Sequence, residues 1–158
     1  MGAMPGKEFQ QAIQEAEHLI LRAGLSAIAE GKAQIIARDS RRVLGSVHID
    51  NDCRKAHPNS NRWDYAIGYN RKGKPFVFFV EVHSANSHNV AEMVKKLDWL
   101  VSFLHRDANA DLRRLPREYH WVASGKFNIP GHLPQYRMLQ TLKSKRGLQG
   151  PHKHLVLQ

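Results

Sequence analysis

Cysteine is all but missing from this chain. A single Cys53 leaves nothing to form an internal disulfide, and that suits a reducing, cytoplasmic setting. No apolar run approaches the roughly 18 residues that a membrane helix needs. The stretch "FVFFVEV" is only strand-length and is broken by Glu81, so no membrane partner is expected. No secretory leader is expected either, because the first apolar segment is amphipathic and rich in Gln and Glu. Residues 1–6, "MGAMPG", read as a cloning remnant. Also missing are a His-Glu-x-x-His helix, a Gly-x-Ser-x-Gly elbow and a phosphate-cradling P-loop, which leaves zinc-protease, α/β-hydrolase and P-loop NTPase chemistry without support. Acid is scarce as well: 14 Asp and Glu face 24 Lys and Arg, for a formal net charge of +10. Such an excess favours a polyanion, because neutralising phosphates releases condensed counterions.

What is present fits one α/β domain with no internal repeat. Apolar residues from Phe9 to Leu21 recur at helical spacing, predicting a helix from Pro5 to about Ala23 with Gly24 as its stop. Residues 25–40 are open between a second short helix and a helical turn leading into a strand. "RRVLGSVHID" alternates as a strand does, and "NDCRKAHPNSN" has loop chemistry. Two strands follow. Then Val90, Met93, Leu97, Leu100, Val101 and Leu104 form one helical stripe, with Lys95, Lys96 and Asp98 off that face. A strand near Tyr119–Ile129 and a last helix over "LPQYRMLQTLKSKRG" complete the order. The expectation is a mixed sheet flanked by helices over residues 7–150, with 151–158 as a basic C-terminal tail.

The hairpin "RWDYAIGYNRKGKPFVFFVEVHSA" carries the chemistry. With Lys72-Gly73 as a two-residue turn, Arg71 falls opposite Lys74, Tyr69 opposite Phe76, and Asp64 opposite Glu81. Directly opposed like charges are unfavourable, and Glu81 interrupts a strand that is otherwise apolar on both faces. A divalent cation compensates such a pair, and closely spaced carboxylate oxygens suit Mg²⁺ or Mn²⁺. The plain alternative is a solvated acid pair at the sheet rim.

An acid at the start of one strand, a hairpin, and Glu81-Val82-His83 on the next strand, followed by a helix and another strand, resembles the PD-(D/E)XK, or restriction-endonuclease-like, nuclease superfamily. The resemblance covers about residues 7–130 and implies a helix-strand-strand-strand-helix-strand core. It also implies metal-dependent phosphodiester hydrolysis, on DNA ahead of RNA. Asp64, Glu81 and the Val82 carbonyl would hold the metal, and His83 stands where the family has lysine. Histidine can act as a base or bind a softer ion such as Mn²⁺. Some members carry an acid on the preceding helix, for which Glu15 is the candidate. Lys74 or Lys95 are candidates to replace the lysine spatially.

Arg54, Lys55 and Arg62, in a loop just before Asp64, together with Lys74 and Lys95, are the candidate nucleic-acid contacts. Cys53 and His57 offer half a zinc site with no second pair at matching spacing. Trp63, Tyr65, Tyr69, Trp99 and Trp121 read as core aromatics. Two other classes compete with the nuclease: an inactive nucleic-acid-binding module of the same fold, and a basic α/β domain that binds an acidic protein, including a homodimer arrangement.

Overall fold

The structure is a computed structural model that describes residues 4–158. Its centre is a five-stranded mixed sheet in the order β2-β3-β4-β5-β6, formed by β2 (Val43–His48), β3 (Tyr65–Arg71), β4 (Lys74–His83), β5 (Arg117–Ala123) and β6 (Leu148–His152). The pairs β2-β3 and β3-β4 are antiparallel, whereas β4-β5 and β5-β6 are parallel. The helices that flank this sheet are α1 (Pro5–Glu15), the single turn α2 (Ile49–Asp52), α3 (Val90–Leu104), α4 (Ala110–Arg114) and α5 (Pro134–Arg146). A parallel ribbon of β1 (Ile35–Ala37) and β7 (Leu155–Leu157) completes the fold.

The period of two in β4 divides the core. Val77 and Phe79 join Phe9, Ile13, Met93, Leu97, Leu100 and Leu142 on the helical side. Phe78, Val80 and Val82 join Ile28, Ile35, Leu155 and Leu157 on the other. The helices thus cover one face, while the ribbon and the 25–38 segment cover the other. Residues 151–158 are therefore no tail: they end β6 and form β7, whose Leu155 and Leu157 are buried on either side of exposed Val156. Pro5 and Gly6 likewise belong to the first turn of α1, while residues 1–3 of the expected remnant lie outside the described residues.

The first helix is shorter than its apolar spacing predicts. Ala16 turns extended and His18 takes φ 66°, so the chain leaves the helical path. It then runs beside β2, where Arg22 and Ser46 exchange backbone hydrogen bonds. Ile20 and Leu21 continue a helical period by coincidence; their backbone follows a sheet edge. The "polar connection" after α3 also contains structure, because Asn109 and Leu112 are fully buried there. The strand expected near Tyr119–Ile129 starts two residues earlier and stops at Ala123.

Between β3 and β4, Lys72 and Gly73 have φ of 55° and 84°, the double left-handed pattern of a type I′ hairpin turn. The register follows from it: Arg71 pairs with Lys74 and Tyr65 with Val80. Gly68 has a different task, because a β-carbon there would lie 2.5 Å from the Phe9 ring. Its bare backbone lets α1 rest on the sheet. Gly68→Ala is expected to cost about 1–3 kcal/mol through overpacking, measured as a lower denaturation midpoint with unchanged m-value.

Candidate functional site at the end of the central strand

Asp64 lies one residue before β3, and Glu81 sits near the C-terminal end of β4. The turn register brings them together: the Asp64 N–H donates to Glu81 Oε1 at 3.0 Å. Reciprocally, the Val82 N–H donates to Asp64 Oδ2 at 3.0 Å. Glu81 is 1% exposed on the helical face, among Val77, Phe79 and Trp121. It is therefore no rim acid.

The compensating charge comes from α3. Lys96 Nζ stands 3.2 Å from Glu81 Oε2 and donates to the Arg62 carbonyl at 3.2 Å. Its side chain is 14% exposed. The pattern puts Lys96 off the buried stripe, yet it borders Leu100 at the stripe's edge and reaches inward along its own aliphatic stem. Lys95, one residue earlier, points to solvent. Lys74 stands at the hairpin turn, seven strand residues from Glu81, or about 23 Å at 3.3 Å per residue. Neither Lys74 nor Lys95 reaches the acid pair; Lys96 does.

A second pair runs parallel to the first. His83 shares the Glu81 face of β4, and its Nε2 lies 2.8 Å from Glu92 Oε2. Two strand residues advance about 6.6 Å and four helical residues about 6 Å, so Glu81–Lys96 and His83–Glu92 form matched rungs between β4 and α3. The sequence signal was the Glu92/Lys96 spacing of four on one helix face. Trp121 Nε1 donates to the His83 carbonyl at 3.1 Å, fixing the strand beneath these rungs. Reciprocal hydrogen bonds between Asn86 and Asn89 fix the approach to α3.

Burial is the main force on the acids. It pushes Asp64 up, against the lowering effect of its bond from Val82 and of the Lys96 charge. Burial and then the Asp64 charge push Glu81 well above the usual carboxylate range, more than Lys96 pulls it down. Burial also opposes the Lys96 charge, but Glu81 and Asp64 outweigh it and hold the ammonium above its ordinary value. The two directions are linked: each proton that Glu81 or Asp64 keeps removes negative charge that holds the Lys96 ammonium up.

The donor set fits a hard divalent cation. Two carboxyls converge, and the N–H and C=O of one strand residue share an edge, so the Val82 carbonyl opens toward the Asp64 side. Glu15 is not drawn in: it is exposed at the end of α1 and accepts a hydrogen bond from Gln11. Arg62 is not available as a phosphate contact. Its guanidinium is bonded to Asp50 at 2.9 Å and to the His57 carbonyl at 2.5 Å, tying the loop to itself. Arg54 and Lys55 are exposed, with Arg54 3.4 Å from Asp50. Cys53 is buried and its thiol is pushed up to about 12, chiefly by burial, so it packs as a neutral thiol.

Next to His83, the loop after β5 forms the wall of a cleft of about 560 Å³ lined by Gln34, Ser124, Lys126, Phe127, Lys153 and His154. Ser124 N–H donates to the His83 carbonyl, which places this wall at the same sheet end as Glu81, but Gln34 binds the Ala123 and Lys153 carbonyls, so the cleft opens on the ribbon face, opposite the Glu81 side chain. Phe127 is half-exposed there. Among the described residues, no helix is long and apolar enough to cross a membrane. No protein-family model matches this chain, and neither the curated proteins nor the solved structures provide a match.

Proposed function

We propose that this chain is a metal-dependent phosphodiesterase of the PD-(D/E)XK kind, hydrolysing nucleic acid, with DNA ahead of RNA as substrate. The observation that carries the reading is Lys96: a lysine from α3 reaches the buried acid of β4, giving an acid-acid-lysine set with the lysine moved from strand to helix. The basic chain supports a polyanionic substrate.

In this reading Asp64, Glu81 and the Val82 carbonyl hold Mg²⁺ or Mn²⁺. The ion would polarise the phosphoryl oxygen and lower the pKa of a bound water. Lys96, kept charged by its two acid neighbours, steadies negative charge developing on the phosphate. His83, oriented by Glu92, positions a water at the mouth of the site.

The test is cleavage of labelled DNA and RNA with Mg²⁺ or Mn²⁺, comparing wild type with Asp64→Ala and Glu81→Ala. Metal-dependent cleavage by wild type, lost in both variants, is expected. Cleavage that survives both changes would sink the assignment. The inactive binding module remains a second reading for one reason: Lys96 already supplies Glu81 with a counter-charge. Its signature is salt-dependent DNA binding with no cleavage under any divalent metal. A basic domain serving an acidic protein partner, a homodimer included, would show neither.

A further inference from the structure

A different cluster lies where the chain leaves α1. Glu17 and His18 follow the helix, and His57 comes from the loop after α2. One donor atom from each of the three lies within 4.8 Å of the others. Among the described residues this is the one such trio of His, Cys, Asp or Glu donors.

We propose that Glu17, His18 and His57 form a structural Zn²⁺ site that staples the exit of α1 to the loop preceding Asp64. Two imidazole nitrogens and one carboxylate oxygen suit Zn²⁺ and suit Mg²⁺ or Ca²⁺ poorly. Tetrahedral ligands at ordinary zinc distances stand about 3.3–3.5 Å apart, so small side-chain rotations close the trio, with water as fourth ligand.

The surroundings hold each ligand in place. The Glu17 backbone N–H donates to Asn109 Oδ1 at 2.8 Å, and Asn109, fully buried, donates to the Phe103 carbonyl at 2.7 Å. Arg106 grips one Glu17 oxygen at 2.6 Å and holds the other loosely at 3.4 Å. The loosely held oxygen is free to turn toward a cation while Arg106 supports the carboxylate from behind. The His57 ring packs edge-on against Trp99 and Phe103, with centroids at 5.6 Å and 6.3 Å. His18 is exposed, its left-handed backbone lifting the ring toward His57 at a centroid distance of 6.3 Å.

The consequence reaches the other site through the backbone. The His57 carbonyl accepts from Arg62, and the Arg62 carbonyl accepts from Lys96. A metal on His57 braces the loop that supports Lys96 and leads into Asp64. The site does not depend on the nuclease reading, because it uses none of Asp64, Glu81 or Lys96.

The experiment is calorimetric titration of tag-free, EDTA-stripped protein with ZnCl₂, with MgCl₂ as comparator. In Asp64→Asn, which disables the proposed nuclease site, one equivalent of Zn²⁺ is expected to bind and to raise the melting temperature. His18→Gln, an exposed change that leaves the packing intact, and His57→Gln should each weaken binding by more than the roughly 10–100-fold that loss of a supporting hydrogen bond costs. His152→Asn should bind as wild type does. The proposal is overturned if Zn²⁺ binds no better than Mg²⁺. It is equally overturned if the His18→Gln/His57→Gln double variant binds as wild type, or if Asp64→Asn or His152→Asn is the change that abolishes binding.

Discussion

Replacing Lys96 with methionine is expected to lower metal-dependent cleavage by about 10²–10³-fold while the Lys95→Met variant stays at the wild-type rate. The two side chains are neighbours in sequence and opposite in fate. Lys95 is exposed, whereas Lys96 lies against an acid that is 1% exposed. Methionine keeps much of the buried stem and deletes only the charge, so the loss reports the ammonium. The same change leaves Glu81 and Asp64 facing each other uncompensated, and breaking a buried pair in this way costs about 3–5 kcal/mol. That cost should shrink as the pH falls and the two carboxyls take up protons, and again when Mg²⁺ is added. Urea melts at two pH values separate a folding defect from a catalytic one. Full cleavage by Lys96→Met would remove Lys96 from the chemistry and leave it a structural counter-ion.

Why Lys96 escaped the sequence is a matter of period. A strand places residues on one face by parity, so Asp64 and Glu81 follow directly from the Lys72-Gly73 turn once the two positive φ angles set the register. Parity also gives the division of β4 between two cores. A helix advances 100° per residue, and a long side chain at the edge of an apolar stripe can swing inward or outward. Lys95 lies on the far face of the helix, whereas Lys96 borders Leu100 at the stripe's edge, and the depth of Glu81 beneath α3 turns it inward.

Other misses have the same origin in contacts remote along the chain. The first helix ends at Glu15 because Leu19 must reach the core and Arg22 must pair with Ser46 in β2, a partner 24 residues away. The last residues look like a basic tail because Lys153 and His154 dominate the local composition. Yet Leu155 and Leu157 alternate, and the hydrophobic face they cover belongs to β3 and β4. Arg62 looked like a phosphate contact because it is basic and precedes Asp64; its guanidinium is spent on Asp50 and the His57 carbonyl. Local pattern defines each element, whereas the partner of an edge charge is set by packing.

The pH dependence of stability distinguishes a proton, a lysine and a metal as the agent that settles the acid pair. Glu81 and Asp64 are both pushed upward in the folded state, chiefly by burial. The native protein therefore holds protons that the unfolded chain has released once the pH passes the ordinary carboxylate value of about 4.3. Stability from this source is complete below that pH and is lost as the pH rises through the folded values. Glu81→Gln removes the titrating group and relieves Asp64 of its neighbour's charge, so its stability should be flatter over the same range. Each unit by which the folded value exceeds the unfolded one lowers wild type relative to the variant by about 1.4 kcal/mol as pH rises. Saturating Mg²⁺ should restore stability to the wild type near neutral pH and do nothing for Glu81→Gln, because the ion takes the place the proton vacates. The measurement is chemical denaturation from pH 4 to 8 with and without Mg²⁺. Parallel curves for the two proteins would mean that Lys96 alone keeps Glu81 ionised, and a cation would then have no proton to displace.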